Sequence, residues 1–240
     1  MKKLKKNLKK RLVTDLIIIS VLAGVFAITA LPERVLPSYS SGRITALYNG
    51  NRNESNVSIM INVYENTEVV NEMLSLLKEK GVHATFFVGG CWADDNGETL
   101  KRIVGEGHEI GNHGYFHKDH KNLSYEKNKE EINLTNVVVS ALCGVQPKLF
   151  APPSGSYSLA TLDASYDLGL KVIMWSLDTI DWRDSDTEKI FSRATKNVKN
   201  GDFILMHPKK HTLKVLPSII DYYLKIGLTP VTVSENVKEN

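Results

Sequence analysis

Cysteine is nearly absent. Cys91 and Cys143 are the only two in 240 residues, and two thiols 52 positions apart build no disulfide scaffold. They are either one pair in an exported protein or two separate core thiols. No basic stripe interleaved with aromatics occurs beyond residue 11, which removes the electrostatic footprint of a nucleic-acid-binding surface. No repeat with a period of roughly 20–50 residues is present, which excludes a solenoid. Gly155-Ser156-Tyr157 lacks the pattern of a nucleophile elbow, which removes a metal-independent serine hydrolase of that kind. What remains is ordinary globular composition, 42% hydrophobic and 24% charged, enough for one sizeable core and one main domain.

Charge is unevenly spread. Residues 1–11 carry seven Lys or Arg and no acid, and an apolar run from Leu16 to Leu31 follows. This pattern is a targeting segment: a basic cytoplasmic flank (1–11), then a membrane anchor or signal peptide (12–31). The run is slightly shorter than the roughly 17–25 residues of a spanning helix, Leu12 and Val13 extend it, and Val25-Phe26-Ala27 offers a cleavage site. Both readings place the rest of the chain outside the cytoplasm, held at the cell membrane by a single pass or secreted. Removing the seven N-terminal cations from the formal +3 leaves −4 for the rest, so the exported part is mildly acidic.

Residues 32–56, with scattered Pro, Ser, Asn and Gly and little periodicity, read as a linker, and the main domain as 57–237. Within it, apolar strand-like runs alternate with amphipathic helical stretches. Strands are expected at 57–63, Ala84–Val88, His108–Gly111, Lys148–Phe150, Lys171–Trp175, Asp202–Met206 and Pro230–Val233. Seven such units imply parallel strands joined by right-handed helical crossovers. Alternation alone leaves open a closed barrel or an open doubly wound sheet.

The residues most able to do chemistry fall just past the C-terminal ends of these strands, where barrel enzymes build their sites: Glu65, His113, His117, the turn after Phe150, Asp178, Asp181 and His207. His113 and His117 have the spacing that lets two imidazoles converge on one ion from a helical turn. Asp178 or Asp181, beside His207 on a neighbouring strand, offers the carboxylate that orients an imidazole as a proton donor.

Taken in order, several stretches resemble the NodB-like polysaccharide deacetylase family of carbohydrate esterases: Ala84-Thr85-Phe86-Phe87-Val88, Gly107-His108-Glu109-Ile110-Gly111-Asn112-His113, Pro152-Pro153-Ser154-Gly155, Trp175-Ser176-Leu177-Asp178, Asp181-Trp182 and Leu205-Met206-His207. The resemblance implies an α/β fold, a deformed (β/α) barrel of about seven parallel strands. It also implies metal-dependent hydrolysis of N-acetyl groups on a cell-envelope glycan, peptidoglycan or a chitin-like oligomer. The metal would be zinc, with cobalt or manganese as alternatives, held by His113, His117 and Glu65. His207 would protonate the leaving amine, tuned by Asp178 or else Asp181, while Ser154, Pro153, Trp182 and Leu205 would surround the oxyanion and substrate.

Besides Gly114 and Ser154, which replace bulkier family residues, the chain departs from that pattern in two places that bear on the chemistry. The family's Asp pair, base then ligand, aligns with Tyr64 and Glu65, so one carboxylate stands where the mechanism uses two. The Arg that precedes Pro-Pro is Ala151, and a partly buried Arg without its carboxylate would be an uncompensated charge, so the two losses belong together. Two readings follow: a deacetylase with an altered base at Tyr64, or a catalytically impaired module that binds envelope glycan.

Overall fold

The computed structural model describes residues 44–238. The basic flank, the anchor or signal segment and the linker as far as residue 43 lie outside the described residues, and among the described ones no helix is long and apolar enough to cross a membrane.

Among the described residues, eight short strands run in chain order: β1 (Asn56–Val63), β2 (Thr85–Val88), β3 (Glu109–Asn112), β4 (Leu149–Phe150), β5 (Lys171–Val172), β6 (Leu177–Asp178), β7 (Phe203–Met206) and β8 (Thr229–Pro230). Seven lie side by side in the order β5-β4-β3-β2-β1-β7-β6, and β8 pairs with the start of β1. Every pairing is parallel. The sheet curls into the expected deformed barrel, and β6, which the sequence did not announce, adds one strand to the expected set. All connections but β5–β6 contain a helix: α1 (Thr67–Lys80), α2 (Gly90–Asp95), α3 (Gly97–Gly105), α4 (Tyr125–Cys143), α5 (Leu159–Asp167), α6 (Thr187–Thr195) and α7 (Lys210–Lys225), while α8 (Val233–Asn236) follows β8.

Strand alternation decides what faces where. On β1 the odd positions Val57, Ile59, Ile61 and Val63 belong to the large core shared with the helices, where Val70, Leu74 and Ile220 also sit. The even position Met60 turns into the barrel, against Phe87, Leu149, Ala151, Ile173, Phe203 and Val233. The same parity carries Leu205 inward level with Met60, Asn62 and Gly111 inward at the next level, and then Tyr64, His113 and His207 just past the strand ends. The apolar plug at the bottom therefore fixes the direction of the polar groups at the top.

Of the stretch read as linker, residues 44–56 are folded onto the domain. Leu47 bonds through its backbone to Val172 and Met174, Gly50 to Gly201 and Asn51 to Asn236, and Arg52 pairs with Asp202 at 2.6 Å. This segment runs between the end of β5 and the turn before β7. The polar composition hid these links because most are made by backbone groups and Arg52 lies 150 positions from its partner. Cys91 and Cys143 are free thiols.

Candidate functional site

A cleft of about 570 Å³ opens at the C-terminal end of the strands, within the roughly 300–1,000 Å³ usual for small-ligand sites. Its floor and walls include Asn62, Tyr64, His113, Trp175, Leu205 and His207, and its mouth includes Glu65, His117, Ser154, Asp178, Trp182, Pro208 and Lys209. Nine of the eleven residues expected at the site line it. Pro153 is buried in the turn beneath Ser154, and Asp181 lies buried behind His207.

All four non-glycine residues with left-handed backbone among the described residues lie in loops that follow these strand ends: Asn66 (φ 60°), His117 (φ 54°), Ser154 (φ 55°) and Ile180 (φ 55°). Each such conformation costs on the order of 1–3 kcal/mol and concentrates at functional sites. His113 and His117 accordingly meet from a loop, not from the helical turn that their spacing suggested. Gly114 and His117 both turn left-handed, and the two rings stand 5.1 Å apart, centroid to centroid, nearly edge to face.

His113 is buried. Its Nδ1–H donates to the Ala151 carbonyl oxygen at 2.7 Å, which fixes the tautomer and leaves the Nε2 lone pair available. Burial pushes its pKa down to about 3, with neighbouring His117 adding to the effect. Burial also lowers the pKa of His117. Two neutral imidazoles are good donors for a divalent ion.

The third expected ligand is elsewhere. Glu65 makes an ion pair with Lys209 at the mouth of the cleft, and the Asn66 side chain donates to the Pro208 carbonyl oxygen at 3.1 Å. Both links draw the end of β1 towards the loop after β7. The Tyr64 ring leans the other way, with its centroid 5.0 Å from that of His117. Gly89 makes this possible, because a Cβ there would lie 2.2 Å from the Tyr64 ring. Among the described residues no group of three His, Cys, Asp or Glu side chains is placed to hold a metal ion, so this donor set does not fit the expected centre. Tyr64 is also a poor base: burial first, then Cys91, raises its pKa above the ordinary phenol value.

The imidazole–carboxylate pair is intact, and its carboxylate is Asp181. Asp181 Oδ1 accepts from His207 Nδ1 at 2.7 Å, and Oδ2 accepts from the His207 backbone N–H and the Thr212 hydroxyl at 2.7 and 2.6 Å. Burial pushes this carboxyl up, but these donors outweigh it and hold the group below its usual range. Asp178 accepts from the Ile180 N–H at 2.7 Å and so pins the left-handed turn that presents Asp181. Of the two carboxylates considered for His207, Asp181 orients the ring and Asp178 supports the turn.

Four lining residues were missed from the sequence: Asn62, Trp175, Pro208 and Lys209. Asn62 had a readable signal, a polar residue within an apolar strand run. Lys209 had none, since its partner Glu65 lies 144 positions away.

A curled parallel barrel carrying an imidazole–carboxylate pair and an open cleft at the C-terminal ends of its strands has the arrangement of a (β/α) barrel enzyme site. The sequence profile described as polysaccharide deacetylase matches residues 49–173, and the chain belongs to that family. It is 37% identical over 193 residues to the uncharacterised Bacillus subtilis protein YlxY, covering 80% of this chain and 60% of that one. It is 34% identical to a Bacillus cereus peptidoglycan-N-acetylglucosamine deacetylase, covering 68% of this chain and 79% of that one. The chain spans about three-fifths of the length of the first relatives it matches. Among solved structures it is similar to the Bacillus anthracis protein BA3943, described as a CE4 family pseudoenzyme, with TM-score 0.79 and 32% identity, covering 82% of this chain and 70% of that one. A mutant of that protein is described as having restored enzymatic activity.

Proposed function

We propose that this protein is a catalytically impaired deacetylase-like module that binds N-acetylated envelope glycan, held at the outer face of the cell membrane by its N-terminal segment. The observation that carries the reading is the position of Glu65. With that carboxylate on Lys209 and Tyr64 against His117, His113 and His117 meet without a third ligating side chain beside them among the described residues, which leaves a metal-assisted hydrolysis short of its ligand set and of a carboxylate base. The walls of the cleft support binding. Trp182, 57% exposed, and Trp175 supply apolar faces, and rigid aromatic surfaces of this kind serve as anchors in binding sites. Relatives named as acting on peptidoglycan or chitooligosaccharide make an N-acetylated glycan the natural ligand class.

A second reading, a slow deacetylase, is favoured by the intact His207–Asp181 pair, which pure binding does not need. Titration of the full chain with N-acetylglucosamine oligomers, alongside Trp182→Ala, separates the readings from no function at all. The proposal expects saturable binding that weakens roughly fivefold or more in the variant, consistent with loss of an aromatic anchor. Absence of binding in the wild type overturns it.

A further inference from the structure

Helix α4 buries a polar stripe. Asn128, Glu131, Thr135 and Asn136 are spaced to share one side of the helix, and all four are buried where an amphipathic helix normally places apolar side chains. Three of them reach the segment that runs from the end of β3 past the two imidazoles. Asn136 Oδ1 accepts from the Asn112 side-chain amide at 2.8 Å, Asn128 Oδ1 accepts from His120 Nδ1 at 2.7 Å, and Glu131 takes hold of the residues on either side of His117.

Glu131 Oε2 accepts from the Phe116 backbone N–H at 2.9 Å, and Oε1 pairs with Lys118 Nζ at 2.7 Å. The carboxylate therefore brackets His117, whose own backbone is left-handed at φ 54°. A carboxylate whose side chain is 3% exposed is costly to bury unless its oxygens are engaged, and a strained backbone persists only where its surroundings over-determine it. The two costs answer each other, because the bonds that satisfy the carboxylate are the ones that pin the strained residue. Before His117, the Gly114 and Tyr115 carbonyl oxygens accept from the Gly90 and Cys91 N–H groups at 2.9 and 3.1 Å. Thus α2 fixes the first half of the imidazole loop and Glu131 the second.

We infer that Glu131 is a positioning residue: it holds His117 in its left-handed conformation against the Tyr64 ring and so sets the wall that the cleft presents to its ligand. His117 and Tyr64 line the cleft; Glu131 lies behind them and acts through Phe116 and Lys118. That this wall matters for glycan rests on the binding reading above, whereas the positioning itself does not.

The test compares the full-chain wild type with Glu131→Gln, which keeps the reach to Phe116 and loses the charge, and Glu131→Asp, which keeps the charge and loses the reach. Three quantities are measured: the nuclear Overhauser contact between the Tyr64 and His117 rings, whose centroids are 5.0 Å apart, the affinity for N-acetylglucosamine oligomers, and the thermal midpoint. The ring contact should be present in wild type and Glu131→Gln and lost in Glu131→Asp. Affinity should stay within about twofold of wild type in Glu131→Gln and fall by about fivefold or more in Glu131→Asp, as expected when the support of a binding wall is loosened. A ring contact that survives in Glu131→Asp overturns the inference, and a lower thermal midpoint beside it would make Glu131 a structural carboxylate. Loss of the contact in Glu131→Gln overturns it too, because charge and not the bond to Phe116 would then decide. A contact that moves as expected with affinity unchanged overturns the role of this wall in binding. A wild type that binds no oligomer overturns the glycan reading and leaves the ring contact to decide the positioning.

Discussion

Lys209 pairs with Glu65 at the mouth of the cleft, while the neighbouring Tyr64 ring packs against His117 with centroids 5.0 Å apart. The Glu65 side chain is 58% exposed, and exposed pairs contribute only about 0.2–1 kcal/mol. Lys209→Met therefore frees the carboxylate at little cost to the fold. Zinc affinity, followed by equilibrium dialysis, should rise by no more than about fivefold, and adding Glu65→Gln should cancel the gain. A much larger rise would mean that Lys209 alone keeps the site from taking metal.

Gly89 and Tyr64 are matched in shape. A Cβ at residue 89 overlaps the Tyr64 ring, so Gly89→Ala should destabilise by about 1–3 kcal/mol, the usual cost of overpacking. In a Tyr64→Ala background the same change should cost little. A chemical-denaturation double-mutant cycle measures the coupling, and additive effects would show that the ring does not occupy the place described.

Acid should unfold the domain through its buried histidines. His113 and His108 are pushed by burial to about 3 and about 4, against about 6.5 in an unfolded chain. Above pH 6.5 neither state holds these protons. As pH falls from 6.5 towards 4 the unfolded state takes them first, so stability drops, with each group contributing up to about 1.4 kcal/mol per pH unit. His108→Leu, remote from the cleft, should reduce the slope of unfolding free energy between pH 4 and 6 by about one proton. An unchanged slope would contradict the burial of a neutral ring.

Asp181 accepts three hydrogen bonds from His207 and Thr212. Its carboxyl is held below the ordinary range, so the stability it contributes is complete above pH 4 and disappears as pH falls through the folded value. Asp181→Asn should cost about 1–3 kcal/mol at pH 7 and flatten that acid limb. The nitrogen NMR signals of His207 should also show the Nδ1–H tautomer giving way to a mixture.

The parallel α/β architecture was legible because its apolar runs alternate with amphipathic stretches, while the choice of a barrel over an open sheet came from the family resemblance, and the inward parity of Met60, Phe87 and Phe203 follows from strand geometry once the strands are placed. Leu177–Asp178 was not, since two residues carry no periodicity and their strand exists through pairing with β7. The cleft was largely visible as polar residues past strand ends. The choice between Asp178 and Asp181 was not, because both sit in one turn and only the left-handed Ile180 decides which reaches His207. The displacement of Glu65 was invisible for a similar reason: it depends on Lys209, far away in sequence, and on Gly89 making room for Tyr64.

The central claim is that the cleft is formed while Tyr64 stands in place of a carboxylate base and Glu65 is held on Lys209. The direct measurement is acetate release from N-acetylglucosamine oligomers and peptidoglycan, with zinc or cobalt added, by wild type and by a Tyr64→Asp, Glu65→Asp, Ala151→Arg triple variant. The account predicts no release above background by the wild type and measurable release by the triple variant, abolished again by His113→Ala. Metal-dependent release by the wild type that disappears on His113→Ala would contradict it and establish the protein as a deacetylase with an unconventional base.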